Sequence, residues 1–502
     1  MKPFLSTFPR TFWVANLMEL FERGAYYGLN ALLAVYLRDK VEAGGLGFQE
    51  DEVGLLQGVV YAATYVVPIL GGALADRYGY RRVLLFAFSF LSAGYFLSGK
   101  VTGYWVIFAT LLLMATGSGL FKPIITGTVA KTTDESNSGL GFGIYYWMIN
   151  LGALIGPLVA GYLKGFSWNH VFVASSLYCA FMFLPTLFVF RDPPRTEGAR
   201  KLKDVLAGAG MVLSNARFML LIFVYSCFWI LYFQNFGTVL WYLRDFIDGA
   251  PVNLFVNSVL GHPLLSWLGL AGKFKLDAEH VTVVNAGTIV LLQLAVSRIV
   301  KNLKPLPTMM AGVAIGALGF LLLAVSQYVW VFLAGIAVFS IGEMTCHPKY
   351  YSYIGLVAPK EQKAVYMGYA FLYGVVGSLV GSNVGGEMYK AFLSPRIGQT
   401  GVESVLRNFW LVFAVLGAAT SGMLLVYDRL FGEDTTGTRA RARKVMFSVY
   451  GLLVLGAGTV LYFVFAKQGF VPVKTWIQAG IMAVVGAGGL IALRADAQRK
   501  PA

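Results

Sequence analysis

The sequence is poor in the side chains that carry most enzyme chemistry. Of its 502 residues, three are cysteine and four are histidine. Cys179, Cys227 and Cys346 each sit inside an apolar run without metal-type spacing, so they read as small buried hydrophobes and no disulfide framework is expected. His170, His262, His280 and His347 are scattered. There is no Walker-type phosphate loop, no zinc-ligand spacing and no nucleophile elbow, so the expectation is a protein that is not an enzyme and has no metal or organic cofactor. Charge is also scarce. Only 13% of residues are charged, against roughly 25% in soluble proteins.

What is present instead is hydrophobic length. The chain is 57% hydrophobic, and apolar stretches long enough to cross a bilayer as helices recur along nearly all of it. The expected fold class is an all-α polytopic membrane protein. Its fourteen spans are placed near residues 12–37, 53–75, 80–99, 104–130, 139–163, 169–190, 217–243, 280–300, 306–326, 329–356, 363–390, 406–430, 445–466 and 474–494. The first span carries charges and no small-residue cleavage site follows it, so it reads as a retained helix. The net charge of +15 does not indicate a nucleic-acid partner here, because Lys and Arg in short loops report orientation. Arg77, Arg81 and Arg82, then Arg191 to Lys203, Arg298 to Lys304, and Arg439 to Lys444 all fall in even-numbered turns. Both termini are therefore expected on the cytoplasmic side of a cell inner membrane.

The basic stretch after Asp192-Pro193-Pro194 divides the chain. The expected organisation is a six-helix bundle over 1–191, a linker over 192–216, a second six-helix bundle over 217–431, and a basic linker with an additional hairpin over 432–502. The hairpin has few ionisable groups and is expected to serve packing or regulation. The long link 244–279 contains the apolar run Leu254–Leu270, readable as an interfacial lid or as a loosely packed loop. Glycines four apart, Gly152-Gly156 and Gly377-Gly381-Gly385, allow close helix contact, expected within one chain; the protein is read as a monomer.

Three charges in the first span need a reason. Ionisable groups at membrane depth cost roughly 2.5 kcal/mol or more each and mark a route for substrate or ions. Glu19, Glu22, Arg23 and Tyr26 follow i, i+3, i+4, i+7 spacing, which puts them on one helical stripe. Lys122 falls at comparable depth in the fourth span, so a Lys122–Glu22 or Lys122–Glu19 pair is the economical arrangement, and protonation would break it. Glu343 lies about halfway through the tenth span. Facing Arg23 and Lys122 it would make a dipolar cavity suited to a zwitterion, with Asn150 and Asn285 bonding a backbone amide and Tyr26, Tyr27, Tyr61 and Trp229 lining side-chain space. His347, four residues after Glu343, could bond it or cap a local polar cluster.

The turn Gly72-Ala73-Leu74-Ala75-Asp76-Arg77-Tyr78-Gly79-Tyr80-Arg81-Arg82 resembles the loop signature of the major facilitator superfamily. The set Glu19-x-x-Glu22-Arg23-x-x-Tyr26-Tyr27-Gly28 is similar to the first-helix signature of its proton-dependent oligopeptide transporter branch. Gly119 to Pro123, Tyr145 to Leu154, Trp229, Asn285, Gly342-Glu343 and Pro348 fall at further positions of that branch. The resemblance covers about residues 10–430. It implies the major facilitator fold, two halves rocking about a midplane site, and proton-coupled import of di- and tripeptides. It also implies proton coupling at Glu19, Glu22, Arg23 and Lys122, and peptide binding at Arg23, Tyr26, Tyr27, Tyr61, Lys122, Asn150, Trp229, Asn285 and Glu343. Protons are the only coupling ion expected, and the partners are a small peptide and the lipid bilayer. Two departures stand out. Phe233 occupies the place of a span-seven acid, and Asn30 that of its helix-one arginine partner, so that pair is neutralised on both sides. Gly24-Ala25 and Ala370 replace bulkier residues. Another small zwitterion or anion as cargo, or a peptide-binding sensor with little transport, stays open at this point.

Overall fold

The computed structural model describes residues 8–134, 137–192, 202–259, 272–359 and 362–498. Among them there is no strand. The helices of the first half are α1 (Arg10–Arg38), α2 (Glu50–Tyr78), α3 (Tyr80–Ser98), α4 (Tyr104–Lys131), α5 (Ser138–Lys164), α6 (Trp168–Phe181) and α7 (Phe183–Phe188). A short helix, α8 (Leu202–Ser214), follows. The second half contains α9 (Ala216–Gln234), α10 (Thr238–Phe246), α11 (Ala250–Phe255), α12 (Glu279–Val300), α13 (Pro305–Val325), α14 (Val329–Val357), α15 (Lys363–Tyr369), α16 (Leu372–Met388) and α17 (Glu403–Phe431). The hairpin is α18 (Thr436–Gln468) and α19 (Val473–Gln498).

Twelve helical segments among the described residues are long and apolar enough to cross a membrane. α1, with its three charges, and α3, with Arg81 and Arg82, fall outside that set by composition, but both are packed into the bundle. Counting them makes fourteen crossings. Three spans are interrupted for local reasons. Pro185 has no N–H, and its ring crowds the carbonyl four residues back, so α6 stops at Phe181. The seventh span breaks at Asn235–Gly237, where Gly237 leaves the helical region at φ −143° and ψ −96°. The eleventh breaks at Ala370–Phe371.

The two halves meet through α2 against α16 and α5 against α12. α8 stands inside the stretch read as a linker and docks on the second half, where the Tyr369 hydroxyl donates to the Val205 carbonyl at 2.7 Å. Asn253 and Asn257 accept from the Leu276 and Phe274 N–H groups, tying the long link back on itself; most of its apolar run lies outside the described residues. Asp192 accepts from the Arg81 N–H at 2.6 Å and the Arg81 guanidinium donates to the Leu187 carbonyl, so the basic turn after α2 clamps the end of the sixth span. Lys349 is buried and donates to the Lys301 and Leu303 carbonyls.

The glycine repeats pack within the chain. A Cβ on Gly152 would lie 2.8 Å from the Leu20 carbonyl, one on Gly156 would collide with the Gly24 backbone, and one on Gly381 would lie 2.9 Å from the Ile230 carbonyl. Backbone cannot yield as a flexible side chain can. Gly156→Leu is therefore expected to destabilise by about 3 kcal/mol or more, whereas Gly422→Ala, where the added carbon meets open space, is expected to stabilise slightly. Thermal unfolding of the two purified variants against wild type checks the opposite signs.

Candidate functional site

The stripe on α1 faces inward, with Glu19 and Glu22 fully buried and Arg23 nearly so. Glu22 is completely satisfied. It accepts from Arg23 Nε at 2.6 Å and Nη2 at 2.8 Å, and from the Ser118 hydroxyl of α4 at 2.8 Å. Arg23 Nη2 also donates to Ser118 at 3.2 Å, and the guanidinium carbon stands 4.7 Å from the Tyr26 ring centre. Glu19 is the opposite case. Arg23 Nε is 3.6 Å from one of its oxygens, and among the described residues neither oxygen has a hydrogen bond at ordinary distance, although the Tyr145 hydroxyl is near enough to act on it.

The expected Lys122–Glu pair does not form. Lys122 makes no ion pair among the described residues; its Nζ stands 5.6 Å from the Tyr65 ring centre and 5.9 Å from that of Phe371. The planar guanidinium of the adjacent Arg23 matches a carboxylate at two points, which a single ammonium cannot do, so Glu22 goes to Arg23 and Lys122 is left facing the cavity.

The cavity is small in this form, with about 40 Å³ of room for water-sized molecules, and is lined by Arg23, Tyr26, Tyr27, Asn30, Tyr61, Thr64, Tyr65, Ser118, Lys122, Tyr232, Phe233 and Phe236. Tyr61 stacks on Phe233 at 5.4 Å and receives a hydrogen bond from Gln57. From the second half, Asn285 holds the half-buried Glu343 at 3.3 Å and donates to Ser340 at 2.8 Å. Glu343 is near enough to act electrostatically on Tyr27, Tyr65 and Tyr232, all in the cavity wall. Trp229 is 4% exposed in a cage of Tyr232, Tyr373 and His347, and among the described residues its indole N–H has no hydrogen bond of ordinary length, with the Tyr225 hydroxyl near enough to interact. Of the two readings of His347, the local polar cluster fits, since its Nδ1 pairs with the Tyr225 hydroxyl at 3.2 Å. One expectation is corrected: Asn150 donates to the Tyr146 carbonyl of its own helix, and it is absent from the cavity lining, as are Trp229, Asn285 and Glu343. For His347 and Asn150 alike, a partner one turn or one helix away is already in place.

The two ends of the molecule differ. The face opposite the termini is laced by ion pairs, most of them between halves: Arg38 with Asp245 at 2.6 Å and, within the first half, with Glu50 at 2.9 Å, Arg244 with Asp39 at 2.7 Å, Lys164 with Asp277 at 2.9 Å and Glu279 at 3.0 Å, and Lys390 with Asp51 at 2.9 Å. Lys474 of the hairpin adds contacts to Asp51 and Glu387. Toward the face carrying the termini, a vestibule of about 720 Å³ runs from Lys122 and Tyr65 past Asp76, Ala130 and Gly368. Burial alone would raise the Asp277 carboxyl, but the charges of Lys164 and Arg244 hold it below the usual carboxylate range. Its stabilisation is present above the unfolded-state value and is lost only as pH falls through the lowered one. Asp277→Asn is therefore expected to lower Tm equally at pH 7 and at pH 6, checked by thermal unfolding at both.

The family model of the Major Facilitator Superfamily matches residues 13–382. The chain belongs to the major facilitator superfamily. Within it, the chain is 31% identical over 218 residues to a dipeptide and tripeptide permease B of Aliivibrio fischeri, covering 41% of this chain and 43% of that one. It is 32% identical over 148 residues to a di-/tripeptide transporter of Lactococcus lactis, covering 28% and 30%. These matches span less than half the length of the curated relatives. A crystal structure of a peptide transporter POT in complex with sulfate superimposes with a TM-score of 0.66 at 18% identity, over 84% of this chain and 95% of that one. A nucleoside transporter superimposes with 0.63 at 16% identity, over 83% and 99%. The fold is shared across cargoes, so the cargo has to be argued from the site.

Several lining residues of this superfamily member were not singled out from sequence: Ser118, Thr64, Tyr65, Tyr232 and Phe236. Ser118 stands four residues before Lys122, and Tyr65 four after Tyr61. The same helical spacing that exposed the α1 stripe would have found both.

Proposed function

We propose that the chain is a proton-coupled symporter that imports di- and tripeptides by alternating access, acting as a monomer without a cofactor. The observation that carries this reading is the cavity between the halves, with the Arg23 guanidinium and a free Lys122 ammonium on one wall and Glu343, steered by Asn285, near the other. A zwitterion bridges such a site, carboxylate to Arg23 and Lys122 and ammonium to Glu343, and aromatic rings accept varied side chains between them. The named peptide transporters among the relatives support peptide as the zwitterion. Basic turns at the face carrying the termini make that face cytoplasmic in an inner membrane, so the latched, vestibule-bearing form is inward-facing. A proton on Glu19 removes a buried charge that no hydrogen bond of ordinary length among the described residues compensates, which makes Glu19, with Glu22 and Arg23, the coupling group.

The test is uptake of labelled di-alanine into liposomes holding the purified protein under an imposed proton gradient. Accumulation that an ionophore collapses supports symport; absence of accumulation with or without the gradient refutes it. A second reading, another small zwitterion as cargo, draws on a POT family transporter in complex with 5-aminolevulinic acid, which has a TM-score of 0.66 to this chain. Failure of dipeptides to compete would favour it. Lys122→Ala is expected to weaken peptide binding about 10-fold through the lost carboxylate contact, read by ligand-induced thermal stabilisation; unchanged affinity removes Lys122 from the site.

A further inference from the structure

Asn30 stands in the wall of the same cavity and is used by nothing around it. It is 1% exposed, and among the described residues neither its Nδ2 nor its Oδ1 has a hydrogen-bond partner. It shares that lining with Tyr61, Phe233 and Phe236 as well as with Arg23, Thr64 and Lys122, and none of these bonds to it. A buried amide with both donor and acceptor idle is costly, and the cost is removed only by a group that donates and accepts at once. A carboxylate would face Oδ1 with a second acceptor. An ammonium would leave Nδ2 idle, and no acid lies in that lining to balance it.

Resting on the peptide reading above, we infer that Asn30 is a specificity-determining residue that selects cargo presenting a neutral amide to it, either a further peptide unit or a side-chain carboxamide. Position supports the size of cargo. Asn30 is seven residues beyond Arg23 on one unbroken helix, a rise of about 10 Å. An extended peptide covers that in about three residues. A carboxylate anchored at Arg23 and Lys122 therefore places the distal peptide unit of a tripeptide, or the carboxamide of a long dipeptide side chain, against Asn30. Phe233 is part of the same device. A charged side chain at Phe233 would pair with or repel the amide, whereas the Phe233 ring stacked on Tyr61 leaves it available to cargo.

The experiment measures affinity by ligand-induced thermal stabilisation of the purified full chain, for wild type, Asn30→Leu and Asn30→Ala. The side-chain source is read by Gln-Ala against Met-Ala, similar in length but unlike in hydrogen bonding. The backbone source is read by Ala-Ala-Ala against Ala-Ala. In wild type at least one arm is expected to favour the amide-bearing ligand about 10-fold, and that ratio is expected to fall below about 2-fold in both variants. Asn30→Leu should also raise the Tm of the ligand-free protein, because an unpaired amide is replaced by a carbon side chain of similar size. Equal affinities in both arms of wild type, or a preference that survives both variants, overturns the inference while leaving peptide transport standing. If no peptide stabilises the wild-type protein, the peptide reading itself fails and this inference falls with it.

Discussion

Glu22→Gln is expected to abolish proton-driven accumulation of peptide, reducing it at least 10-fold, while exchange between peptide pools on the two sides continues. Glutamine has the shape of the protonated acid but cannot give the proton up, so the carrier keeps a substrate-moving form and loses the step that the gradient drives. The structure adds a consequence for stability. Glu22 holds Arg23 at two points and receives the Ser118 hydroxyl, so its loss leaves a buried guanidinium with Ser118 and, as its remaining carboxylate among the described residues, Glu19 at 3.6 Å. Removing one partner of a buried pair costs roughly 3 kcal/mol. Glu19→Gln removes no hydrogen bond of ordinary length among the described residues. The two variants should therefore lose coupling alike, while only Glu22→Gln shows a clearly lowered Tm. Gradient-driven uptake and thermal unfolding, measured on both, decide the point; concentration of peptide by either variant removes that acid from the coupling role.

Arg38→Ala is expected to have the second large effect, on the balance of conformations. Arg38 reaches Glu50 in the first half and Asp245 in the second, and its guanidinium carbon stands 5.7 Å from the Trp241 ring centre and 5.4 Å from that of Tyr389. All three charges are largely buried, at 18%, 7% and 15% exposed. Truncating the arginine leaves two acids facing one another at the closed end. A loss of roughly 3 kcal/mol confined to the closed form shifts the equilibrium toward the open one about 100-fold. Ser394, whose hydroxyl also donates to Glu50, offers a reporter position at that end: a cysteine there should label faster with a membrane-impermeant maleimide in the Arg38→Ala background. Unchanged labelling would mean that the remaining pairs, Lys164 with Asp277 and Glu279 and Lys390 with Asp51, hold the face shut without Arg38.

The hairpin bears on the same end. Tyr450 of α18 packs its ring against Phe223 of α9, Gln478 of α19 donates to Asn383 of α16, and Lys474 contacts Asp51 of α2 and Glu387. It contributes nothing to the lining of the cavity or of the vestibule. This arrangement is compatible with either role, packing or regulation, expected from its few ionisable groups.

Sequence by itself determined the class of molecule, the number of crossings and the polar stripe on α1. Those features depend on local quantities: apolar length against bilayer thickness, and helical spacing that brings Glu19, Glu22, Arg23 and Tyr26 to one face. It also exposed the Gly152-Gly156 contact, because close helix approach requires small residues at a fixed period. The choice of ionic partner was decided only in three dimensions. Depth along the bundle put Lys122 level with two acids, but whether an ammonium or a guanidinium reaches Glu22 depends on rotamer and on Ser118 across the gap. The pairing of His347 with Tyr225, the turning of Asn150 onto its own helix, and the isolation of Asn30 are likewise products of which helices become neighbours. Such contacts join residues up to 122 positions apart, as for Tyr225 and His347, and no period in the sequence carries that information.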